Sequence, residues 1–195
     1  MFDKTQVAAF FDRLAPSWDE TCRHDAGKIA RILDAAGITA GVSVLDVACG
    51  TGVLFPFYLE RGVLRITGVD ISAEMIAQAR RKHTDSRIAL LCADIETLTF
   101  EAPFDRCVVY SAFPHFGNPS LLIERLSEAL APGGRLTVAH SESIAEINRR
   151  HTGHASAVSV GLMPAADLAA LMMPAFDVDT ALADEHMYIV SGTKR

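Results

Sequence analysis

The segment VLDVACGTG, residues 44–52, decides the fold class. It is typical of a buried strand that runs directly into a tight glycine turn, with Asp46 inside the strand and Gly50 and Gly52 in the turn. Glycines at the end of a strand let the backbone approach a ligand closely, and such turns often bind phosphate. A phosphate about 4 Å from Asp46 would be repelled by about 4 kcal/mol at an effective dielectric near 20. The segment therefore favours a cationic or zwitterionic ligand.

The rest of the chain alternates strand-like and helix-like segments. Short β-branched segments typical of strands buried on both faces occupy residues 42–48, 64–70, 87–94, 104–112 and 134–141. Helical segments lie between them: one begins at Ser72, and another begins at Asn118 with Pro119 in the first helical position and ends at the PGG of residues 132–134. This alternation predicts an α/β fold with a doubly wound, mostly parallel sheet.

Both ends of the chain add to this pattern. Residues 1–36 predict a helical N-terminal cap, and residues 141–163 predict an insertion after the fifth strand that lies over an acceptor site. The segments FDVDTAL and HMYIVSG, residues 176–182 and 186–192, complete the sheet. We expect a single domain over residues 1–195.

Composition limits the function classes. The 195 residues carry a net charge of -6 and have no dense Lys/Arg segment, which argues against a nucleic-acid partner. The four cysteines are scattered and predict neither a disulfide framework nor a zinc site. Neither a signal peptide nor a membrane-spanning segment is indicated, so we expect a cytoplasmic protein.

Carboxylates also end the second and third predicted strands, as Asp70 and Asp94. An acidic residue at the end of the second strand commonly accepts hydrogen bonds from ribose hydroxyls, and one at the third can accept from the exocyclic amine of adenine. Taken singly, each carboxylate has a structural interpretation that is as good as the ligand-binding one: Asp70 as a partner of a helix cap, and Asp94 as a solvated loop residue. Together, at one end of adjacent strands, they predict a nucleoside site.

The segments VLDVACGTG, GVDIS, CADIE, YSAFPHF and LAPGGRLTVAH resemble the class I S-adenosylmethionine-dependent methyltransferases over roughly residues 40–141. The resemblance implies a seven-stranded sheet whose last strand is antiparallel and is inserted next to its neighbour. It also implies S-adenosylmethionine as cofactor, a sulfonium compound without phosphate. The N-terminal AAFFDRLAPSWDE is similar to the start of the quinone-methylating branch, with Trp18 where that branch usually has Tyr.

The resemblance implies a role for particular residues. Asp46 would serve the methionine end of the cofactor, Asp70 the ribose, and Asp94 with the Ile95 backbone the adenine. Ala48 stands where the family pattern has glycine, which narrows the space above the turn. The complete set of expected cofactor-binding residues is Trp18, Asp46, Ala48, Gly50, Gly52, Asp70, Ile71, Met75, Asp94, Ile95 and Ser111.

Two histidines are the candidate catalytic residues. His115 follows the fourth strand and would orient or deprotonate an acceptor, or else provide a polar tip among the loop aromatics Phe113 and Phe116. His140 ends the fifth strand and would face the same pocket.

The segment that follows the fifth strand permits three interpretations. It gathers His140, Glu142, Glu146, His151 and His154. A solvated helix, with Ser143 and Glu146 as a capping box, is favoured over a lid on the acceptor site. A metal site is the third interpretation, and we expect no metal.

These features predict in-line methyl transfer from S-adenosylmethionine to a small-molecule acceptor. Two alternatives stay open. One is a non-catalytic regulatory protein that binds S-adenosylmethionine, and the other is an NAD(P)-dependent oxidoreductase, which needs a third glycine where Phe55 stands. The acceptor and the oligomeric state are not indicated by the sequence.

Overall fold

A computed structural model describes residues 3–22, 24–151 and 157–195. Its strands are β1 (Ser43–Val47), β2 (Arg65–Asp70), β3 (Ile88–Cys92), β4 (Phe104–Tyr110), β5 (Leu130–His140), β6 (Phe176–Ala183) and β7 (Tyr188–Lys194). Within the described ranges these seven strands form one sheet in the order β3-β2-β1-β4-β5-β7-β6. All neighbours pair in parallel except β7, which lies antiparallel between β5 and β6. The fold class is confirmed, including the inserted antiparallel strand.

Burial differs among the strands according to their position in the sheet. All five residues of β1 are buried, as expected for the centre of a doubly wound sheet. In β3, by contrast, Leu91 is 38% exposed. The expectation that every strand is buried on both faces was therefore wrong for β3, because β3 is an edge strand and has only one neighbour.

Eight α-helices lie within the described residues and cover both faces of the sheet. They are α1 (Lys4–Leu14), α2 (Trp18–Thr21), α3 (Ala26–Ala35), α4 (Phe55–Glu60), α5 (Ala73–Lys82), α6 (Pro119–Ala129), α7 (Ile144–His151) and α8 (Ala165–Met172). Ser72 caps α5 by accepting from the Met75 amide, and Asn118 caps α6 by accepting from the Leu121 amide. Both caps lie where the sequence predicts them.

The start of β5 differs from the prediction. Helix α6 ends at Ala129 and β5 begins at Leu130, so Pro132 and Gly133 belong to the strand rather than to a separating turn. Leu130 already pairs with Phe104 of β4, and the register shifts before Arg106 pairs with Arg135. The irregularity accommodates the proline, which has no amide hydrogen to donate.

The N-terminal helices are tied to the carboxyl end of the sheet by polar contacts. Asp12 of α1 accepts from the Ser72 hydroxyl at 2.6 Å and from the Glu74 amide at 3.1 Å, at the start of α5. Asp19 of α2 accepts from the Thr51 hydroxyl and from Lys82 Nζ, both at 2.6 Å. Helices α1 and α2 are thereby fixed over the strand ends. Among the described helices, none has the length and apolar character needed to cross a membrane.

Candidate active site

A cavity lies at the carboxyl ends of the parallel strands, where open α/β sheets bind their ligands. It runs from the residues that follow β3, including Asp94, to those that follow β4, including His115. Helix α1 covers it with Val7 and Phe11. Counting the solvent at its mouth, it holds about 1150 Å³ of open space. Of the predicted site residues, those that line it are Trp18, Ala48, Gly50, Asp70, Ile71, Met75, Asp94, Ile95, Ser111 and His115.

The backbone turns sharply where it borders this cavity. Gly50 and Gly52 have φ of 56° and 82°, values that glycine adopts without strain. Ala48 and Ser111 have φ of 53° and 54°, and among the described residues they are the non-glycine residues with positive φ. A side chain in this region costs about 1–2 kcal/mol. Backbone strain clusters at functional sites, and here both strained residues line the cavity.

Asp70 is the carboxylate most firmly fixed in the cavity. It ends β2 and is 7% exposed. Its Oδ2 accepts from the Gly50 amide at 2.8 Å and its Oδ1 from the Ser72 amide at 2.9 Å. Burial raises the pKa of Asp70, while these two hydrogen bonds act in the opposite direction. The carboxylate thus joins the glycine turn to the start of α5 and still borders the cavity.

Asp46 has a different environment from the one expected. Its side chain is 2% exposed, and Asp46 is not among the residues that line the cavity. Burial raises the pKa of Asp46 to about 8, with the nearby Tyr58 hydroxyl lowering it and Asp70 raising it further. The carboxyl group is therefore mostly protonated at neutral pH. The like-charge argument drawn from Asp46 in the sequence does not hold, because burial removes both the charge and the access to ligand.

Gly52 also lies outside the cavity lining. A Cβ at this position would come within 2.6 Å of the Phe55 ring and 2.8 Å of the His83 ring. Because Gly52 has no side chain, the turn can pack against α4 and the end of α5.

The adenine end predicted from the sequence contains an ion pair. Lys4 of α1 donates to Asp94 and to Glu96, each at 2.5 Å. Asp94 also accepts from the Glu96 amide at 3.1 Å, which closes a short turn after β3 around the buried Ile95. The carboxylate that the sequence assigns to an adenine amine is thus held by a cation from the helix above it.

His115 lies at the opposite end of the cavity. Its Nδ1 is 3.0 Å from the Val158 carbonyl, which only accepts, so Nδ1 carries the proton and Nε2 has a free lone pair. The ring contacts Phe11 and His151 edge to face, with centroid distances of 4.9 Å and 5.2 Å. Burial lowers the pKa of His115 to about 4, so the imidazole is neutral at neutral pH.

His140, the other candidate catalytic residue, is placed behind the cavity. It is 3% exposed, does not line the cavity, and packs against Tyr188 with ring centroids 6.0 Å apart. Its Nε2 is buried and has no hydrogen-bond partner within the described residues. Burial lowers the pKa of His140 to about 3.

The segment after β5 contains ion pairs. Glu142 pairs with Arg150, and Glu146 pairs with Arg149 at 2.5 Å. The Glu146 amide donates to the Ser143 hydroxyl, which is half of the expected capping box. No group of three or more potential metal ligands occurs among the residues that the structure describes, and His154 lies outside them. These contacts favour a solvated helix at α7.

Sequence reasoning missed one polar contact at the cavity. His24 Nδ1 lies 3.1 Å from the Tyr110 hydroxyl, and that hydroxyl donates to the Ser141 hydroxyl at 2.9 Å. His24 and Tyr110 both line the cavity. His24 is in a loop without periodicity and lies 86 positions from Tyr110, so no local pattern indicates their contact.

Comparisons with known proteins agree with this geometry. Residues 44–134 match a family model described as a methyltransferase domain. Over these residues, just under half of the chain, the sequence is similar to a methyltransferase domain, and the seven-stranded sheet with its inserted antiparallel strand is the one that the resemblance to class I S-adenosylmethionine-dependent methyltransferases implies. Among solved structures, the N-methyltransferase NodS of Bradyrhizobium japonicum in complex with S-adenosyl-L-homocysteine superposes with a TM-score of 0.75 at 18% identity, over 98% of this chain and 99% of that one. This likeness shows the fold.

Two curated relatives are similar to this chain in sequence. A malonyl-[acyl-carrier protein] O-methyltransferase of Priestia megaterium is 34% identical over 49% of this chain and 35% of its own length. A demethylmenaquinone methyltransferase of Renibacterium salmoninarum is 32% identical over 69% of this chain and 58% of its own. The chain therefore spans about a third to three fifths of the length of these relatives. The resemblance to quinone-type methyltransferases drawn from the sequence is confirmed.

Proposed function

We propose that this chain transfers the methyl group of S-adenosylmethionine to a small-molecule acceptor bound between α1 and the end of β4. The observation that carries the proposal is that the two ends of one continuous cavity carry different kinds of side chain. Its carboxylates lie at the end of β2 or just after β3, namely Asp70, Asp94 and Glu96. Its imidazole and aromatic side chains lie at or after the end of β4, in α1 and α2, or in the loop between α2 and α3. When bound, the cofactor supplies an electrophilic methyl group.

The hydrogen-bond chemistry of the first end fits a nucleoside. Ribose hydroxyls and the adenine amine are donors, and Asp70 and Asp94 present acceptor oxygens. Asp94 would exchange its contact with Lys4 for one with the adenine amine, and the backbone at Ile95 would complete the adenine site. The turn at Ala48 and Gly50 brings the backbone close to the remaining, methionine part of the cofactor.

The other end fits an acceptor that is held by shape. Phe11 and Trp18 pack with ring centroids 5.9 Å apart over the cavity, and Phe11 contacts His115. These rings exclude water and align an acceptor for in-line displacement, an effect that supplies about 7–11 kcal/mol in well-oriented reactions. His115 offers a neutral hydrogen-bond acceptor to the bound molecule. His140 has no access to the cavity, and we leave it out of the proposed catalytic set.

The two alternatives are less well supported. An oxidoreductase would place a pyrophosphate at the turn, where Phe55 replaces the third glycine of the dinucleotide pattern and packs tightly against Gly52. A regulatory protein without turnover would have no need of an acceptor pocket, yet the cavity continues past Ser111 to His115. The relatives named for demethylmenaquinone and for malonyl-[acyl-carrier protein] also favour transfer to a small molecule or a small carried group.

Calorimetry with S-adenosylmethionine and S-adenosylhomocysteine tests the proposal. We expect wild-type protein to bind both, and Asp70→Asn to bind about ten- to hundredfold more weakly, because hydrogen bonds to charged groups contribute about 1.5–3 kcal/mol. Asp177→Asn is the matched control, since Asp177 lies on β6 and pairs with Arg195 at the surface. Absence of binding at submillimolar cofactor, or equal affinity of the Asp70 variant and wild type, would refute the proposal.

A further inference from the structure

A chain of three hydrogen-bonding side chains ends in the cavity. His24 comes from the loop between α2 and α3, Tyr110 ends β4, and Ser141 follows β5. The links are 3.1 Å from His24 Nδ1 to the Tyr110 hydroxyl and 2.9 Å from that hydroxyl to Ser141 Oγ. Lys28 Nζ holds the Ser141 carbonyl at 2.9 Å and so fixes the far end of the chain.

The direction of these bonds sets the tautomer of His24. The Tyr110 hydroxyl hydrogen is donated to Ser141, so the Tyr110 oxygen accepts from His24 and Nδ1 carries the proton. Nε2 is then the lone-pair nitrogen. His24 lines the cavity, and Nε2 is the ring nitrogen that can take up a further proton.

Charge is distributed unevenly along the same cavity. Among the described lining residues, the ionisable carboxylates and the lysine are at the β2–β3 end, namely Lys4, Asp70, Asp94 and Glu96. The β4 end presents rings, an amide and neutral imidazoles. A neutral imidazole forms no ion pair with an anionic acceptor, whereas it readily accepts a proton from a hydroxyl.

We propose that His24 is the proton acceptor for methylation of an uncharged acceptor that carries a hydroxyl group; this inference rests on the proposed methyl transfer. The acceptor oxygen forms the new O–CH3 bond as the S–CH3 bond of the sulfonium breaks and the sulfur takes the bonding pair. The hydroxyl proton moves to His24 Nε2. The products are a methyl ether, the neutral thioether and an imidazolium, whose Nδ1–H donates to Tyr110. The proton then leaves to solvent.

His24 suits this task better than His115. The His115 imidazole is held by a single carbonyl and packed between two rings, and its pKa of about 4 makes it a weak base. Burial also lowers the pKa of His24, and the charges that act on it are Asp19, which raises the pKa, and Lys82, which lowers it. The hydrogen bond to Tyr110 strengthens once His24 is protonated, because a charged donor forms the stronger bond.

The first experiment measures binding of two probes of one shape to wild-type protein saturated with S-adenosylhomocysteine. We expect 2-naphthol to bind at least tenfold more tightly than 2-naphthoate by calorimetry at neutral pH. Equal binding, tighter binding of the carboxylate, or no binding of either probe overturns the inference. Because binding of S-adenosylhomocysteine is recorded first, failure of the proposed function is visible separately as failure of that step.

The second experiment is a pH profile of methyl transfer to 2-naphthol from a labelled donor. We expect His24→Gln to lower kcat about 100-fold or more near pH 7, within the usual range for general bases. The defect should shrink to less than tenfold near pH 10, where a phenolic hydroxyl ionises unaided. Affinity for S-adenosylhomocysteine should be unchanged. A loss of equal size at both pH values would indicate a structural role and would contradict the inference.

Two further variants complete the test. His186→Gln changes an exposed histidine in the β6–β7 connection and should retain wild-type kinetics. Tyr110→Phe removes the partner of His24 Nδ1, and we expect an intermediate loss of kcat. In the NMR titration of the His24 ring, this variant should shift the pKa of His24, independently of any acceptor. An unshifted titration would contradict the hydrogen bond from Nδ1 to Tyr110 on which the inference rests.

Discussion

Replacement of Ala48 by glycine tests the claim that the turn at the cavity is strained. Ala48 has φ of 53°, where a side chain costs about 1–2 kcal/mol. Glycine removes that cost and adds about 0.5–1 kcal/mol of backbone entropy to the unfolded state. The difference is a gain of about 0–1.5 kcal/mol in the free energy of unfolding, with a midpoint of about 0.75 kcal/mol. For a chain of this size the midpoint corresponds to a rise in Tm of about 1.5–3 °C.

The assay is thermal unfolding followed by circular dichroism, in the absence of cofactor. Ala77→Gly is the matched control, because Ala77 lies within helix α5 and its backbone is helical. That variant should lose about 1 kcal/mol and its Tm should fall. Ser111→Gly, at φ of 54°, should behave like Ala48→Gly. If Ala48→Gly lowers Tm as Ala77→Gly does, the turn is unstrained and the reasoning is refuted.

Three other substitutions test the electrostatics and the caps. Folding raises the pKa of Asp46 from 3.8 to about 8, so between these pH values the folded state holds a proton that the unfolded state has lost. The free energy of unfolding therefore falls as pH rises through this window. In urea titrations at about pH 5 and pH 8, Asp46→Asn should lose less stability between the two pH values than wild type does. An equal loss in both proteins would contradict the raised pKa. Lys4→Met breaks a partly exposed ion pair with Asp94. The free energy of unfolding should fall by less than about 1 kcal/mol at low salt and should be unchanged near 1 M salt. A loss that does not depend on salt would contradict a Coulombic contact. Ser72→Ala removes the cap on Met75 and should cost about 1–2 kcal/mol by chemical denaturation, whereas an unchanged midpoint would exclude the cap as a stabilising contact.

The sequence predicts the sheet and the first half of the site because both depend on local patterns. Short β-branched segments mark the strands, and the carboxyl ends of parallel strands share one edge. Asp70 and Asp94 therefore had to come near each other, and both line the cavity. The caps at Ser72 and Asn118 depend on neighbours three positions away, and they too were predictable.

The remaining features depend on side-chain direction and on distant contacts. Asp46 is enclosed next to the Tyr58 hydroxyl and away from the cavity, and its position in the strand sequence does not indicate this. Burial then changes its charge state, which reverses the electrostatic argument. His24 meets Tyr110 only because α2 and α3 fold back over the sheet. The partner that Lys4 finds in Asp94 is equally non-local, at a separation of 90 residues.

The ties of α1 and α2 have a kinetic consequence. Lys4 joins α1 to Asp94 at the cavity, and Asp12 and Asp19 join α1 and α2 to the start and the end of α5. We therefore expect a cofactor bound beneath α1 to exchange with solvent while some of these contacts are open. Opening of such covers often sets the turnover rate of an enzyme, and contacts of this kind weaken in salt. Higher ionic strength would then speed product release without changing the rate of the methyl-transfer step.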